Sequence, residues 1–182
     1  MEHDESDAAR FAALWDRYAP RVQAYAMRHV ERDAAQEVVA ETFLVAWRRL
    51  ADVPGEPLPW LLVVARNTVR NHRRSAYRRR QLHAALAGLA PVPHEDTTEL
   101  VGQRQALLRA LAAMPAAERE AALLVAWDGL TPAQGAAVQG CTVAAFKMRV
   151  SRARRRLSSA TDGPEPEPPP TAAPAAALGR LS

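Results

Sequence analysis

Residues 129–157 read GLTPAQGAAVQGCTVAAFKMRVSRARRRL, and this stretch decides the fold. Thr131–Pro132 is a good helix start. The Thr oxygen can cap a free backbone N–H, and Pro at the first helical position gives up no hydrogen bond. Roughly two turns later Gly140 stops that helix, and Thr142 caps the next one across a turn of three or four residues. Helix, short glycine turn, helix is the helix-turn-helix layout. The second helix places Val143, Phe146, Val150, Ala153 and Leu157 at steps of 3, 4, 3 and 4, which makes one apolar seam. Lys147, Met148, Arg149, Ser151, Arg152 and Arg154 to Arg156 lie off it. A recognition helix needs this division, with one stripe anchored in a core and the other free for base edges and phosphates in the major groove.

The charge distribution points the same way. The 182 residues carry 24 Lys+Arg against 20 Asp+Glu, a net charge of +4. Residues 57–94 hold 7 basic and no acidic side chains, and residues 129–161 hold 6 basic and none acidic. Acidic segments flank and separate the two blocks. Two acid-free basic blocks suit two polyanion contacts better than a general basic coat, because nearby carboxylates would oppose phosphate binding.

Working outward, nearly every segment has helical periodicity and none has strand alternation. Phe11, Leu14, Tyr18, Val22, Tyr25 and Ala26 mark a first helical stretch, which Pro20 should kink or divide in two. Asp33 with Gln36 reads as a capping box opening a helix to about Leu50, with Val38, Val39, Thr42, Phe43 and Ala46 on its apolar side. ADVPGEPLP (51–59) reads as a loop, and a helix from near Pro59 carries Trp60, Leu61, Val64, Ala65, Thr68 and Val69 into an Arg-rich stretch ending at Arg80. Residues 83–99 lose periodicity and read as a linker. The pattern resumes at Leu100, Pro115 opens a further helix that Gly129 closes, and the last 21 residues contain 6 of the 14 prolines and no aromatic residue, so they are expected to be disordered. The fold expected is all-α: two small helical domains, residues 8–82 and 100–160, joined by a flexible linker (83–99) and followed by a Pro/Ala-rich tail (161–182).

Other chemistry finds little support. One cysteine, Cys141, excludes a disulfide framework and a multi-cysteine zinc site. No histidine among His3, His29, His72, His83 and His94 pairs with a ligand at helical metal-binding spacing. There is no phosphate-cradling glycine loop. Glu37 and Glu41 share a helix face but have no His or metal partner in the local sequence. No catalytic residue, metal site, cofactor or small-molecule substrate is therefore expected. No apolar run approaches the ~20 residues that span a bilayer, and the acidic N-terminus is unlike a signal peptide, so a cytoplasmic location is expected.

Residues 129–157 resemble the region-four helix-turn-helix of bacterial RNA polymerase sigma factors of the extracytoplasmic-function (ECF) class, which typically reads GLSYEEIAEILGCPVGTVKSRLSRARRRL. Three more segments resemble the family in its order: AAQEVVAETFLVAWRRL (region two, AEDVVQETFLRAWR), PWLLVVARNTVRNHRR, and LAAMPAAEREAALLVAWDGLT. The resemblance implies a specificity subunit that binds core RNA polymerase and directs it to promoter DNA, with an anti-sigma factor as a regulatory partner. It places polymerase contacts at Glu37, Glu41, Thr42 and Phe43, with Trp47 serving the core. It places minus-ten contacts at Asn67, Arg70, Asn71, Arg73 and Arg74, beside a specificity loop at Asp52–Pro59. Minus-thirty-five contacts fall at Lys147, Met148, Arg149, Ser151, Arg152 and Arg154.

Four departures stand out. Glu37 and Ala40 replace the usual Asp and Gln, Gly135 replaces Ile, and AAFKMR (144–149) replaces GTVKSR. Gly135 costs ~1 kcal/mol of helix propensity and a core side chain. Phe146 adds bulk to the seam, and Met148 removes a hydroxyl from the DNA face, which implies an altered promoter preference. The alternatives are a stand-alone helix-turn-helix regulator, which would have no use for ETFLVAWRRL, and a degenerate sigma-like interaction protein.

Overall fold

The computed structural model describes residues 2–87 and 103–161, with side chains placed for 5–78 and 107–159. The described residues form seven helices: α1 Glu2–Met27, α2 Arg32–Arg48, α3 Pro57–Ala87, α4 Gln103–Ala113, α5 Ala116–Ala126, α6 Pro132–Gln139 and α7 Val143–Thr161. Among them no helix is long and apolar enough to cross a membrane. The expected linker begins inside α3, which continues through residues 83–87; residues 88–99 and the tail beyond Thr161 lie outside the described residues.

α1, α2 and α3 form the first bundle. Pro20 neither divides nor ends α1. It sits among exposed residues, as does Asp16, whose carbonyl loses its helical donor to the proline. The expected stripes pack together: Leu14, Val22, Tyr25 and Ala26 from α1, Val38, Val39, Phe43 and Ala46 from α2, and Leu61, Ala65 and Val69 from α3 are buried. Each large apolar side chain sequestered in this way contributes roughly 1.5–3 kcal/mol. The capping box expected at Asp33 is absent. Helix α2 begins two residues earlier than that cap requires, at Arg32, with Glu31 as N-cap and no side-chain cap bond. A short 3-10 turn at Leu50–Asp52 then leads to α3, which starts at Pro57 rather than Pro59.

α4 to α7 form the second bundle. Pro115 is the N-cap of α5 rather than its first residue, and Gly129 turns the chain at φ +67°. Thr131 caps α6 as expected: its hydroxyl accepts from the Gln134 N–H, the Gln134 side chain accepts from the Thr131 N–H, and Pro132 follows. Gly140 ends α6 at φ +61°, a left-handed conformation that suits glycine, and the Thr142 hydroxyl accepts from the Ala145 N–H at 3.2 Å. Phe146 and Ala153 are fully buried on the α7 seam, whereas Val143, the first residue of α7, is 41% exposed. Arg156 ties α7 to α5 through Glu118 at 3.0 Å.

The two bundles touch. α3 packs on α6, and buried apolar residues of both bundles belong to one contiguous cluster. Polar contacts cross the seam from Arg21 to the Asp128 carbonyl (2.8 Å), from Arg28 to the Asp128 carboxylate, and from Gln134 to Glu56 (2.8 Å). Tyr25 and Arg66 both reach Glu120, at 2.9 and 3.2 Å.

Candidate nucleic-acid interface

Helix α7 presents the basic face that its sequence pattern implies. Lys147, Met148, Ser151, Arg152 and Arg154 are exposed, with Met148 53% open to solvent. Lys147, Arg152, Arg154 and Arg155 have no acidic partner among the described residues, so their charge is available to phosphate. A groove of about 660 Å³ runs beside this face, with Lys147, Ser151, Arg154 and Arg155 over Val125 and Val150. Arg149 differs from the rest of the predicted set. It is half-buried and donates to Gln139 Oε1 at 2.8 Å.

On α3, Asn67, Arg70, Asn71, Arg73 and Arg74 are all exposed. Positions 67, 70, 71 and 74 follow the three- and four-residue steps of a single helix face, with Arg73 at its edge. Amide and guanidinium groups on one stripe can hydrogen-bond the exposed edges of unpaired bases and hold their phosphates. Arg66, one residue before the stripe, is turned instead toward Glu120.

The face of α2 requires a correction. Thr42 and Phe43 are buried, at 0% and 1% exposure, so they support the helix and offer nothing to a partner. The outward stripe comprises Glu37, Ala40, Glu41, Leu44, Trp47 and Arg48. Trp47 stands edge-on to Phe11 at 5.1 Å yet keeps 42% of its surface in solvent, and Leu44 keeps 47%. Trp47 therefore serves both core and surface. Periodicity alone could have separated Leu44 from Phe43, since Leu44 follows Glu37 by seven residues and Glu41 by three. The pair Glu37 and Glu41 also has a histidine partner. His72 reaches across from α3, with Nδ1 3.5 Å from Glu37 and Nε2 3.2 Å from Glu41. Spacing within one helix could not disclose a partner 31 residues away.

Burial sets the electrostatics of the seam between bundles. It pushes the Asp128 carboxyl above its ordinary value, while Arg28 and then Arg21 pull it back. The Tyr25 phenol is driven far up by burial and by the adjacent Glu120 carboxylate. The imidazole of His29, tilted against the Tyr25 ring at 4.6 Å, is pushed down to about 4 by burial; Glu120 opposes the shift and Arg28, Arg73 and Arg66 add to it.

Comparison with known proteins agrees with this geometry. A family model described as Sigma-70 region 2 matches residues 14–79, and one described as Sigma-70, region 4 matches residues 104–157. The chain is 37% identical over 131 residues to a probable RNA polymerase sigma factor RfaY of Xanthomonas campestris; the match covers 66% of this chain and 32% of that protein, so the chain spans about a third of that relative. It is 35% identical over 133 residues to the ECF RNA polymerase sigma factor EcfG of Rhodopseudomonas palustris, covering 70% of this chain and 71% of that one. The structure of the sigma factor RpoE in complex with the anti-sigma factor NepR from Bartonella quintana matches with a TM-score of 0.59 and 25% identity, covering 85% of this chain and 98% of that one. With both sigma regions matched in chain order, one on each helical bundle, this chain belongs to the RNA polymerase sigma factors of the ECF class.

Proposed function

We propose that the chain carries core RNA polymerase to promoters and directs transcription initiation there, performing no chemistry of its own and acting in the cytoplasm. The observation that carries this reading is the pair of exposed, acid-free cationic helix faces on α3 and α7, one in each bundle. A single-site DNA-binding regulator needs only one. In this reading residues 8–82 form the region-two domain and residues 100–160 the region-four domain. The α2 stripe of Glu37, Glu41, Leu44 and Trp47 meets the polymerase, with His72 holding the two carboxylates in place. The α3 stripe Asn67, Arg70, Asn71, Arg73 and Arg74 meets the minus-ten element. Lys147, Met148, Ser151, Arg152 and Arg154 meet the minus-thirty-five element, joined by Arg149 once it leaves Gln139. An anti-sigma factor is a natural partner, because the similar RpoE structure was solved with one.

Run-off transcription by core polymerase, with and without the protein, on a genomic fragment library at fixed salt tests the proposal. The expected result is discrete new start sites that share a two-block upstream motif. Salt-sensitive duplex binding without transcripts overturns it in favour of a stand-alone regulator or an inactive sigma-like protein.

A further inference from the structure

Gln139 stands where the family pattern GLSYEEIAEILGC carries Leu, and it is 4% exposed. A buried amide is costly unless its hydrogen bonds are made. Here they are made by three groups. Nε2 donates to the Ala117 carbonyl at 2.9 Å and to Glu120 Oε2 at 3.1 Å, and Oε1 accepts from Arg149 at 2.8 Å. The other oxygen of Glu120 accepts from Tyr25 and Arg66 of the first bundle. An unbroken chain of hydrogen bonds thus runs Arg149–Gln139–Glu120–Arg66. It joins the recognition helix to the α3 helix one residue before Asn67.

Both ends of that chain belong to the promoter-reading helices. Elements centred near minus ten and minus thirty-five lie ~25 base pairs apart, on the order of 85 Å at 3.4 Å per pair. Helices linked by three hydrogen bonds cannot span that separation. The contact that closes the molecule also occupies Arg149, one of its predicted base-reading side chains.

We propose that Glu120 and Gln139 form a latch that holds the two bundles closed and withholds Arg149 from DNA until the bundles part. The latch rests on the promoter reading above for its consequence, but its geometry can be measured without a promoter. Full-length protein carrying Cys141→Ser, with spin labels on cysteines placed at the exposed positions Ala13 and Ala112, reports the distance between bundles by electron–electron resonance. Affinity for a promoter duplex recovered by run-off transcription is measured on the same protein without polymerase. Glu120→Gln should lengthen and broaden the distance distribution and lower Kd about tenfold, the factor expected if about nine molecules in ten are latched. Asp16→Asn, an exposed change of the same charge, should do neither. Tyr25→Phe keeps a fully buried ring and removes only the hydroxyl, so it should open the latch in the same direction without threatening the fold. Gln139→Leu should tighten duplex binding several-fold by freeing Arg149 while the Tyr25 and Arg66 contacts keep the bundles near. Distances and affinities indistinguishable from those of Asp16→Asn overturn the latch, as does opening without any gain in duplex affinity. Absence of transcripts from wild-type holoenzyme would count against the promoter reading alone, and the distance measurement would then decide the latch.

Discussion

Replacing Gly135 tests whether the packing of the helix-turn-helix is understood. In a helix interior, Gly→Ala ordinarily stabilises by ~1 kcal/mol. Here a Cβ at position 135 would lie 2.2 Å from Phe146 Cζ and 2.7 Å from both Cε atoms. The ring is fully buried, so it has no solvent to retreat into. Overpacking of this kind costs ~1–3 kcal/mol, which cancels or outweighs the propensity gain even for Ala. Gly135→Ile should cost ~3 kcal/mol or more. Phe146→Val should cost about 3 kcal/mol, the low end of the range for truncating a buried Phe, because the space facing Gly135 empties.

The double variant Gly135→Ile/Phe146→Val exchanges ring volume for aliphatic volume across the same contact, and it should lose less than ~1.5 kcal/mol. Independent effects would instead sum to ~6 kcal/mol, so the coupling should reach ~4.5 kcal/mol, above the ~0.5–3 kcal/mol usual for touching residues because each side chain fills the other's space. Urea unfolding followed by helical circular dichroism reads this directly. With a slope of ~2 kcal/mol/M, each single variant should lower the midpoint by about 1.5 M and the double by under 1 M. A Gly135→Ala midpoint above wild type, or a double variant at the additive sum, would refute the reasoning.

Three further outcomes follow from the same structure. Thr42 Oγ1 is buried with no hydrogen-bond partner among the described residues, so Thr42→Val keeps the shape, removes the orphan hydroxyl and should stabilise by ~1 kcal/mol in the same unfolding assay; a loss of stability would show that the hydroxyl is satisfied. Folded His29 binds its proton only near pH 4, against an ordinary value of 6.5, so between those values the unfolded chain holds more protons. Stability should be intact above about pH 6.5 and fall by up to ~3 kcal/mol as the pH drops to 4, a slope that His29→Gln should flatten; equal slopes for the two proteins would sink the assignment. Arg152→Ala should weaken duplex binding for all sequences alike and reduce the slope of log K against log salt by ~0.9, whereas a change confined to particular base pairs would make Arg152 a base reader.

The helices were legible because a 3.6-residue apolar period is set by burial, and burial is what the bundles achieve. Val22, Tyr25, Val38, Phe43, Leu61 and Ala65 fall inside as their spacing requires. The α6 start was legible for a local reason: Thr131, Pro132 and Gln134 satisfy the free N–H groups among themselves. The same logic failed at Asp33, where extending the helix by two residues to Arg32 outcompeted a side-chain cap. Assigning Thr42 and Phe43 to a partner failed because a motif gives the identity of a stretch and not which of its residues face outward. The contacts between bundles were illegible, since Arg21–Asp128 and Tyr25–Glu120 join residues 107 and 95 apart and no period or cap encodes that docking.

The departures from the family pattern acquire meaning only when they are read in pairs. Taken position by position, Gly135 is a missing core side chain and Phe146 an excess one, and each alone suggests a weakened fold. In three dimensions the ring occupies the volume that the glycine vacates. Gln139 in a leucine position would be a buried amide without purpose, but Glu120, Ala117 and Arg149 saturate it. A third element thus makes its polarity tolerable and gives the recognition helix a contact that leucine could not provide. Ala40 has no such compensation within the chain. It lies exposed on the α2 stripe beside Glu41, where a shorter side chain leaves the bundle unchanged and alters only what a partner meets. Substitutions matched inside the fold preserve the architecture, and those left unmatched, Glu37, Ala40 and Met148, lie exposed on the faces proposed to meet polymerase and DNA, so divergence here bears on partner affinity rather than on folding.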